Sequence, residues 1–299
     1  MRISTQTLFD NGAARIADAQ AALYKTQQQV AADRRLLTPA DDPVAAARAL
    51  EVTQSQSLNT QYGTNRGYAK DSLAAVDGTL SSVTDLLQSV KTAAISAGNP
   101  TIGDSERASI ATALQSSLNL LMGLANGRDG QGNYLFSGFQ TSTPPFVQTA
   151  SGVQYQGDQG QRLIQVDPTR QMAVSSPGQA VFQGGGQDMF KTLNDLITQL
   201  NTPGTTGLSA ALATANNGFQ AALDNVSTVH ASVGTRMNEL DALDNAGSSK
   251  NLQYSQTLSG LQDLDYTQAL TDLSRQQTTL EAAQKSFVQT SSLSLFKFL

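Results

Sequence analysis

Phe9, Ile16, Leu23, Val30 and Leu37 stand seven residues apart, and so do Tyr266, Leu273, Leu280 and Phe287. A seven-residue apolar repeat keeps one stripe of a helix facing a neighbouring helix, so it specifies a coiled-coil partner. The two ladders occupy opposite ends of one chain. Between their rungs lie mainly Ala, Gln and Thr, which leaves each stripe narrow, and a lone helix of that kind is marginal in water. Such ends favour a structural or self-assembling protein over an enzyme.

The first ladder, from about Ser4 to Leu37, would reach roughly 50 Å as a helix. Pro39 is expected to end it, because the residue before proline is pushed out of the α region. In Thr38-Pro39-Ala40-Asp41-Asp42-Pro43, Asp41 belongs to the turn. Asp42 is placed to cap a new helix whose first residue is Pro43. That helix continues through Val44, Ala47 and Leu50.

A cleaner seam follows in Ala69, Leu73, Val76, Leu80, Val83, Leu87, Val90 and Ala94, whose steps alternate four and three. Gly98-Asn99-Pro100 stops it, and Asp104 is read as the cap of a helix carrying Ile110, Leu114, Leu118, Leu121 and Ala125. The glycine-rich run Asn126–Asn133 marks a turn. Short strand-like runs then appear at Tyr134–Phe136, Val153–Tyr155 and Arg162–Val166, with Val174 and Ala180–Phe182 as further candidates.

Helical spacing returns at Phe190, Leu193, Ile197 and Leu200. It continues from about Leu208 with Val226, Val233 and Leu240 on one seven-step row and Val229 and Leu243 beside it. Gly247-Ser248-Ser249 is expected to separate that helix from the last one, which passes through Leu261, Leu264 and Leu270 to Phe287.

The expected fold class is mainly α with a small β-rich insertion, an elongated, folded-back helical coiled coil or bundle. Its N- and C-terminal helices pair at one end and the β domain lies at the other. The corresponding division is 1–38 with 262–299 as a terminal coiled-coil domain, 39–139 with 187–261 as a helical bundle, and 140–186 as an outer β-rich domain.

Composition narrows the function. Only 14% of the 299 residues are charged, against about 25% in an average soluble protein, and the formal charge is −5. An acidic chain without a Lys/Arg stripe does not suit nucleic acid. No run approaches 18 apolar residues, so membrane insertion is not expected. Arg2 and Arg15 flank no apolar core or small-residue cleavage site, so the start does not read as a secretory signal.

Cysteine and tryptophan are absent and histidine occurs once, which removes disulfides, thiolate nucleophiles and sulfur-ligated metal together. His230, between Val229 and Val233, reads as a packing or surface residue. Asp263 and Asp265 have no acid–base partners in the pattern, and Gly184-Gly185-Gly186 lacks the Lys-Ser/Thr of a phosphate loop. No catalytic site, cofactor or metal is expected.

Four stretches resemble the bacterial flagellin superfamily, and within it most closely the hook-associated protein 3 group of hook–filament junction proteins. They are Met1-Arg2-Ile3-Ser4-Thr5; Leu37–Ala47; Ala125–Gly130 with Asn133-Tyr134-Leu135-Phe136-Ser137-Gly138; and Asp263-Leu264-Asp265-Tyr266 with the closing Leu293–Leu299. The β-rich stretch carries no resemblance.

The resemblance implies export of the unfolded chain through the flagellum-specific type III apparatus, with an export chaperone. It implies folding into a ring of copies at the hook–filament junction of the extracellular flagellum, between a neighbouring hook-associated protein and flagellin. On that reading Phe9, Ile16, Leu23, Val30, Leu37, Tyr266, Leu273, Leu280 and Phe287 form the assembly interface, with Pro39, Asp41, Asp42 and Pro43 as its hinge and cap. The terminal segments would be poorly ordered in the free monomer. The alternatives are flagellin proper, the filament subunit, and a surface adhesin or helical binding protein.

Overall fold

In the computed structural model, which describes residues 5–150 and 152–292, the first helix ends earlier than its apolar ladder. Helix α1 spans Thr5–Ala32, and Asp33 turns the chain with φ 52°. Helices α2 (Pro43–Ala97), α3 (Asp104–Ala125), α4 (Gly178–Phe182), α5 (Met189–Leu200), α6 (Leu208–Gln262) and α7 (Tyr266–Ser292) complete the helical set. Among the described residues four strands form two antiparallel hairpins: β1 (Phe146–Thr149) with β2 (Gly152–Tyr155), and β3 (Leu163–Asp167) with β4 (Arg170–Ala173). The class is mainly α with a small strand-containing region.

The chain divides into two compact units, Met1–Leu58 with Ser249–Leu299, and Asn59–Ser248. In the second unit every residue of the four-three seam from Ala69 to Ala94 is buried, together with Val226, Val233 and Leu240 of α6. Helix α5 buries Met189, Phe190, Leu193, Leu196, Ile197 and Leu200. The side chain of its N-cap, Asp188, accepts from the Lys191 amide.

Phe136, Phe146, Phe182 and Phe190 gather at ring separations of 5.0–5.9 Å and join the hairpins to the same core as the helices. Helix α3 is apolar and long enough to cross a membrane by composition alone. Its stripe of Ala111, Leu114, Leu118, Leu121 and Ala125 is instead spent in this core.

Several local expectations change. Asp104 is not the cap of α3 but its first residue. Gly103 is the cap, and its amide donates to the Glu106 carboxylate at 2.9 Å. Tyr134–Phe136 is a buried loop with one isolated bridge, Arg128 to Tyr134. Asn126 sustains it, pairing through its side-chain amide with both backbone groups of Phe146 at 2.9 Å. That pairing starts β1, a strand the hydropathy pattern does not mark.

Ala180–Phe182 lies in α4, because Pro177 supplies an extended cap and a preset turn into the helix. Gly247-Ser248-Ser249 does not interrupt α6, which continues to Gln262. Glycine in a helix weakens it but does not end it when neighbouring groups occupy the space, and here the Arg66 guanidinium does so.

In the first unit α1 and α7 run antiparallel: Phe9 lies against Phe287, and the Tyr266 hydroxyl donates to the Val30 carbonyl at 3.2 Å. Where α1 ends and where α6 gives way to α7, the two breaks are tied together. Arg34 bridges Asp263. The Arg35 amide donates to the Gln262 carbonyl at 2.8 Å, and its guanidinium donates to the Leu261 carbonyl at 2.9 Å.

Candidate assembly interface

Because both ladders step by seven and the helices are antiparallel, their rungs meet level by level. Phe9 opposes Phe287, with ring centroids 4.9 Å apart. The same register sets Ile16 against Leu280, Leu23 against Leu273, and Val30 against Tyr266. Between these rungs stand small or polar residues: Gly12, Ala19 and Thr26 on α1, and Ala269, Gln276 and Ala283 on α7.

Small residues let helix backbones approach closely, and the Cα atoms of α1 and α7 come within 8 Å of one another. Gly12 is required for this. A Cβ there would stand 2.7 Å from the Phe287 ring. Ile16, Leu23, Val30, Leu273, Leu280 and Phe287 are half-buried, whereas Phe9 and Tyr266 remain 52% and 45% exposed. Pairing the two helices therefore covers only one side of each rung.

Leu37, the last rung expected on α1, lies in the loop. The helix has already ended, and Leu37 and Pro39 line a shallow groove of about 230 Å³ with Ala49 and Leu50. Pro39 occupies the second position of a turn closed by the Asp41 amide donating to the Thr38 carbonyl at 3.0 Å, a position its ring pre-sets.

The Asp41 carboxylate accepts from Lys25 at 2.6 Å and from the Thr38 and Leu37 amides at 2.8 and 3.0 Å. The Lys25 bond first, then the Thr38 amide, holds its pKa down at about 2. Asp42 caps α2: its Oδ1 accepts from the Ala45 amide at 3.0 Å, with Pro43 as the first helical residue. That amide bond, followed by the Arg35 guanidinium, lowers the Asp42 pKa. Asp265 proves to be a cap as well, accepting from the Gln268 amide at the start of α7. The apolar spacing of that region gives Asp265 no role.

The start of helix α2 turns small residues inward. Ala45 and Ala49 are buried, while Val44 and Leu50 are each 71% exposed. In the whole first unit, Ala45, Ala49 and Ala269 are the only apolar residues buried outright among those described. Exposed Phe9, Tyr24, Val44, Leu50, Leu58, Leu252, Leu270 and Val288 all belong to it. The opening Met1–Ser4 and the closing Leu293–Leu299 lie outside the described residues.

Elsewhere, His230 pairs with Asp77 at 2.7 Å on the flank of the α2–α6 packing. Among the described residues no group of three or more His, Asp or Glu side chains is arranged to hold a metal ion.

Residues 3–141 match the family model for the bacterial flagellin N-terminal helical region. The chain is 34% identical over 316 aligned positions to flagellar hook-associated protein 3 of Salmonella typhimurium, covering 99% of both chains. It is equally similar to flagellar hook-associated protein 3 of Escherichia coli, again at 34% with 99% of both chains covered. Its fold is similar to the crystal structure of the flagellar junction protein FlgL from Legionella pneumophila, with a TM-score of 0.62 at 20% identity. That match covers 72% of this chain and all of the other.

Proposed function

This chain belongs to the flagellar hook-associated protein 3 family, and on that premise we propose that it is the subunit joining flagellar hook to filament. It is a structural component of the flagellum. We propose further that copies of the chain form a ring through their first units, seated between a neighbouring hook-associated protein and flagellin on the extracellular flagellum. Export through the type III apparatus with a dedicated chaperone belongs to the same proposal.

One observation carries the reading. A unit of more than a hundred residues buries outright, among its described residues, only three apolar side chains, all alanines, so those residues form no core of their own. Burial of apolar surface is the dominant favourable term in folding and association. The half-covered rungs Ile16, Leu23, Val30, Leu273, Leu280 and Phe287, with exposed Phe9 and Tyr266, gain most by meeting further helices. Neighbouring copies supply those helices. Leu37, off the helix, contributes instead to the joint held by Pro39, Asp41, Asp42 and Pro43.

On this reading 1–38 with 262–299 form the segment that becomes stable on assembly. Segments 39–139 and 187–261 are the bundle, and 140–186 faces outward.

The direct test is electron microscopy of cells lacking the protein. Intact hooks without filaments, restored by the full chain and not by a chain lacking α1 and α7, are expected. Normal filaments in the deletion strain would overturn the assignment. Hydrogen exchange on the dilute monomer adds a second check: weak protection of α1 and α7 beside strong protection of residues 69–94 is expected.

A further inference from the structure

The long helices of the second unit face a problem of register. The α6 row Val226, Val233 and Leu240 repeats every seven residues, and so do Leu73, Leu80 and Leu87 on α2. Sliding one helix past the other by one repeat, roughly 10 Å, would still set aliphatic rungs against aliphatic rungs. The flanking polar pairs do little to prevent it. Lys70–Asp241 and Lys91–Gln220, both 2.6 Å, are exposed, and His230–Asp77 is only partly covered. Such surface pairs contribute little.

One level breaks the repeat. The next position of the α6 row is Gly247, and the seam residue facing it on α2 is Arg66, which is only 3% exposed. The guanidinium fills the space a side chain at 247 would take: a Cβ there would lie 3.3 Å from Cζ and closer still to Nη2. Its Nε donates to the Asp244 carboxylate, one turn before Gly247.

Its Nη1 donates to the Val166 carbonyl at 3.0 Å. Val166 is at the bulge of the β3–β4 hairpin, where the strand ladder skips a residue. Asn59 donates to the Gly247 carbonyl at 2.8 Å, and Asn65 to the Gln165 carbonyl at 2.8 Å.

We infer that Arg66 and Gly247 form a register lock: a buried cation and a side-chain-free notch that fit together in one alignment of α2 with α6 and anchor the β3–β4 hairpin to that alignment. Slipped by one repeat, Arg66 would meet the side chain of Leu240 in place of the notch and lose its present alignment with Asp244. Setting register is the best-attested use of a buried polar group in a helical seam. Arg66 is a positioning residue, and its role is independent of the assembly reading above.

The test uses the full chain and two readouts. First, Gly247→Ala is made alone and together with Arg66→Met, and thermal melting is followed by circular dichroism. Alanine ordinarily strengthens a helix relative to glycine. The lock requires the opposite sign in the parent, a fall of about 2–4 °C or more, turning into a rise once Met replaces Arg66. A rise in both backgrounds overturns the proposal.

Second, spin labels are placed at Lys70→Cys and Asp241→Cys, unambiguous sites because the chain has no cysteine. When the lock is replaced by an apolar rung, Arg66→Leu with Gly247→Leu, the label distances should gain a second, longer population, because the axial slide of roughly 10 Å adds at right angles to the separation across the pair. The parent should show one. A single parent-like distribution in the replaced chain overturns the lock whatever the melting data give. Should that chain fail to fold, the sign reversal in the alanine–methionine cycle decides alone.

Discussion

Replacing Leu280 with Asp should separate assembly from folding. Leu280 is half-buried, level with Ile16 across the antiparallel pair. Full burial of a leucine contributes about 1.5–3 kcal/mol, so in the isolated chain the change removes about 1 kcal/mol, and from a unit none of whose described residues belongs to the main hydrophobic core. In the proposed ring the same position would be enclosed, and the carboxylate would become an unpaired buried charge costing about 3–5 kcal/mol. The new carboxylate would also sit next to Glu281, which adds repulsion. The gap of about 3 kcal/mol corresponds to roughly a hundredfold loss of incorporation. The melting transition of purified protein should move little, while filaments per hook, counted by electron microscopy in a complemented deletion strain, should fall close to zero. Leu280→Ala, which adds no charge, should fall between parent and Leu280→Asp. Incorporation of the Leu280→Asp chain at parental levels would refute the placement of this rung in the interface.

Three other outcomes follow from the same geometry. Leu240→Ala, at a fully buried rung of the second unit, should cost about 2–5 kcal/mol and lower the melting temperature without altering the α1–α7 pair. Gly12→Ala should weaken the α1–α7 pairing despite alanine's better helix propensity, because its Cβ would stand 2.7 Å from the Phe287 ring; faster amide exchange in both helices is the readout. Asp41 has its pKa lowered from 3.8 to about 2 in the folded chain, so its contribution is complete above about pH 4 and is lost as pH falls through about 2. Nuclear magnetic resonance should show the Leu37 and Thr38 amides losing their bonds in that window, and Lys25→Met should move the loss to higher pH.

What was legible in the sequence was whatever a repeat controls. Two ladders of period seven ask for a partner helix, and in the structure they face each other with Phe9 against Phe287 and Val30 against Tyr266, although the repeat alone does not choose which rung meets which. The four-three seam from Ala69 to Ala94 could be assigned to the core residue by residue for the same reason. What was not legible turned on single side chains reaching backbone groups distant in sequence. Nothing around Ala32 marks the end of α1, because the bonds that compensate it come from 261–263 at the far end of the chain. Strand β1 depends on the Asn126 amide pairing with Phe146, a partnership no hydropathy pattern encodes. Gly247 misled for a sharper reason. Read along its own helix it is a weak point inviting a break, and only the guanidinium of Arg66, 181 positions earlier, turns the missing side chain into a fitted contact. Where a repeat is interrupted by its least compatible residue, the interruption marks the place where the fold distinguishes one alignment from its near-copies.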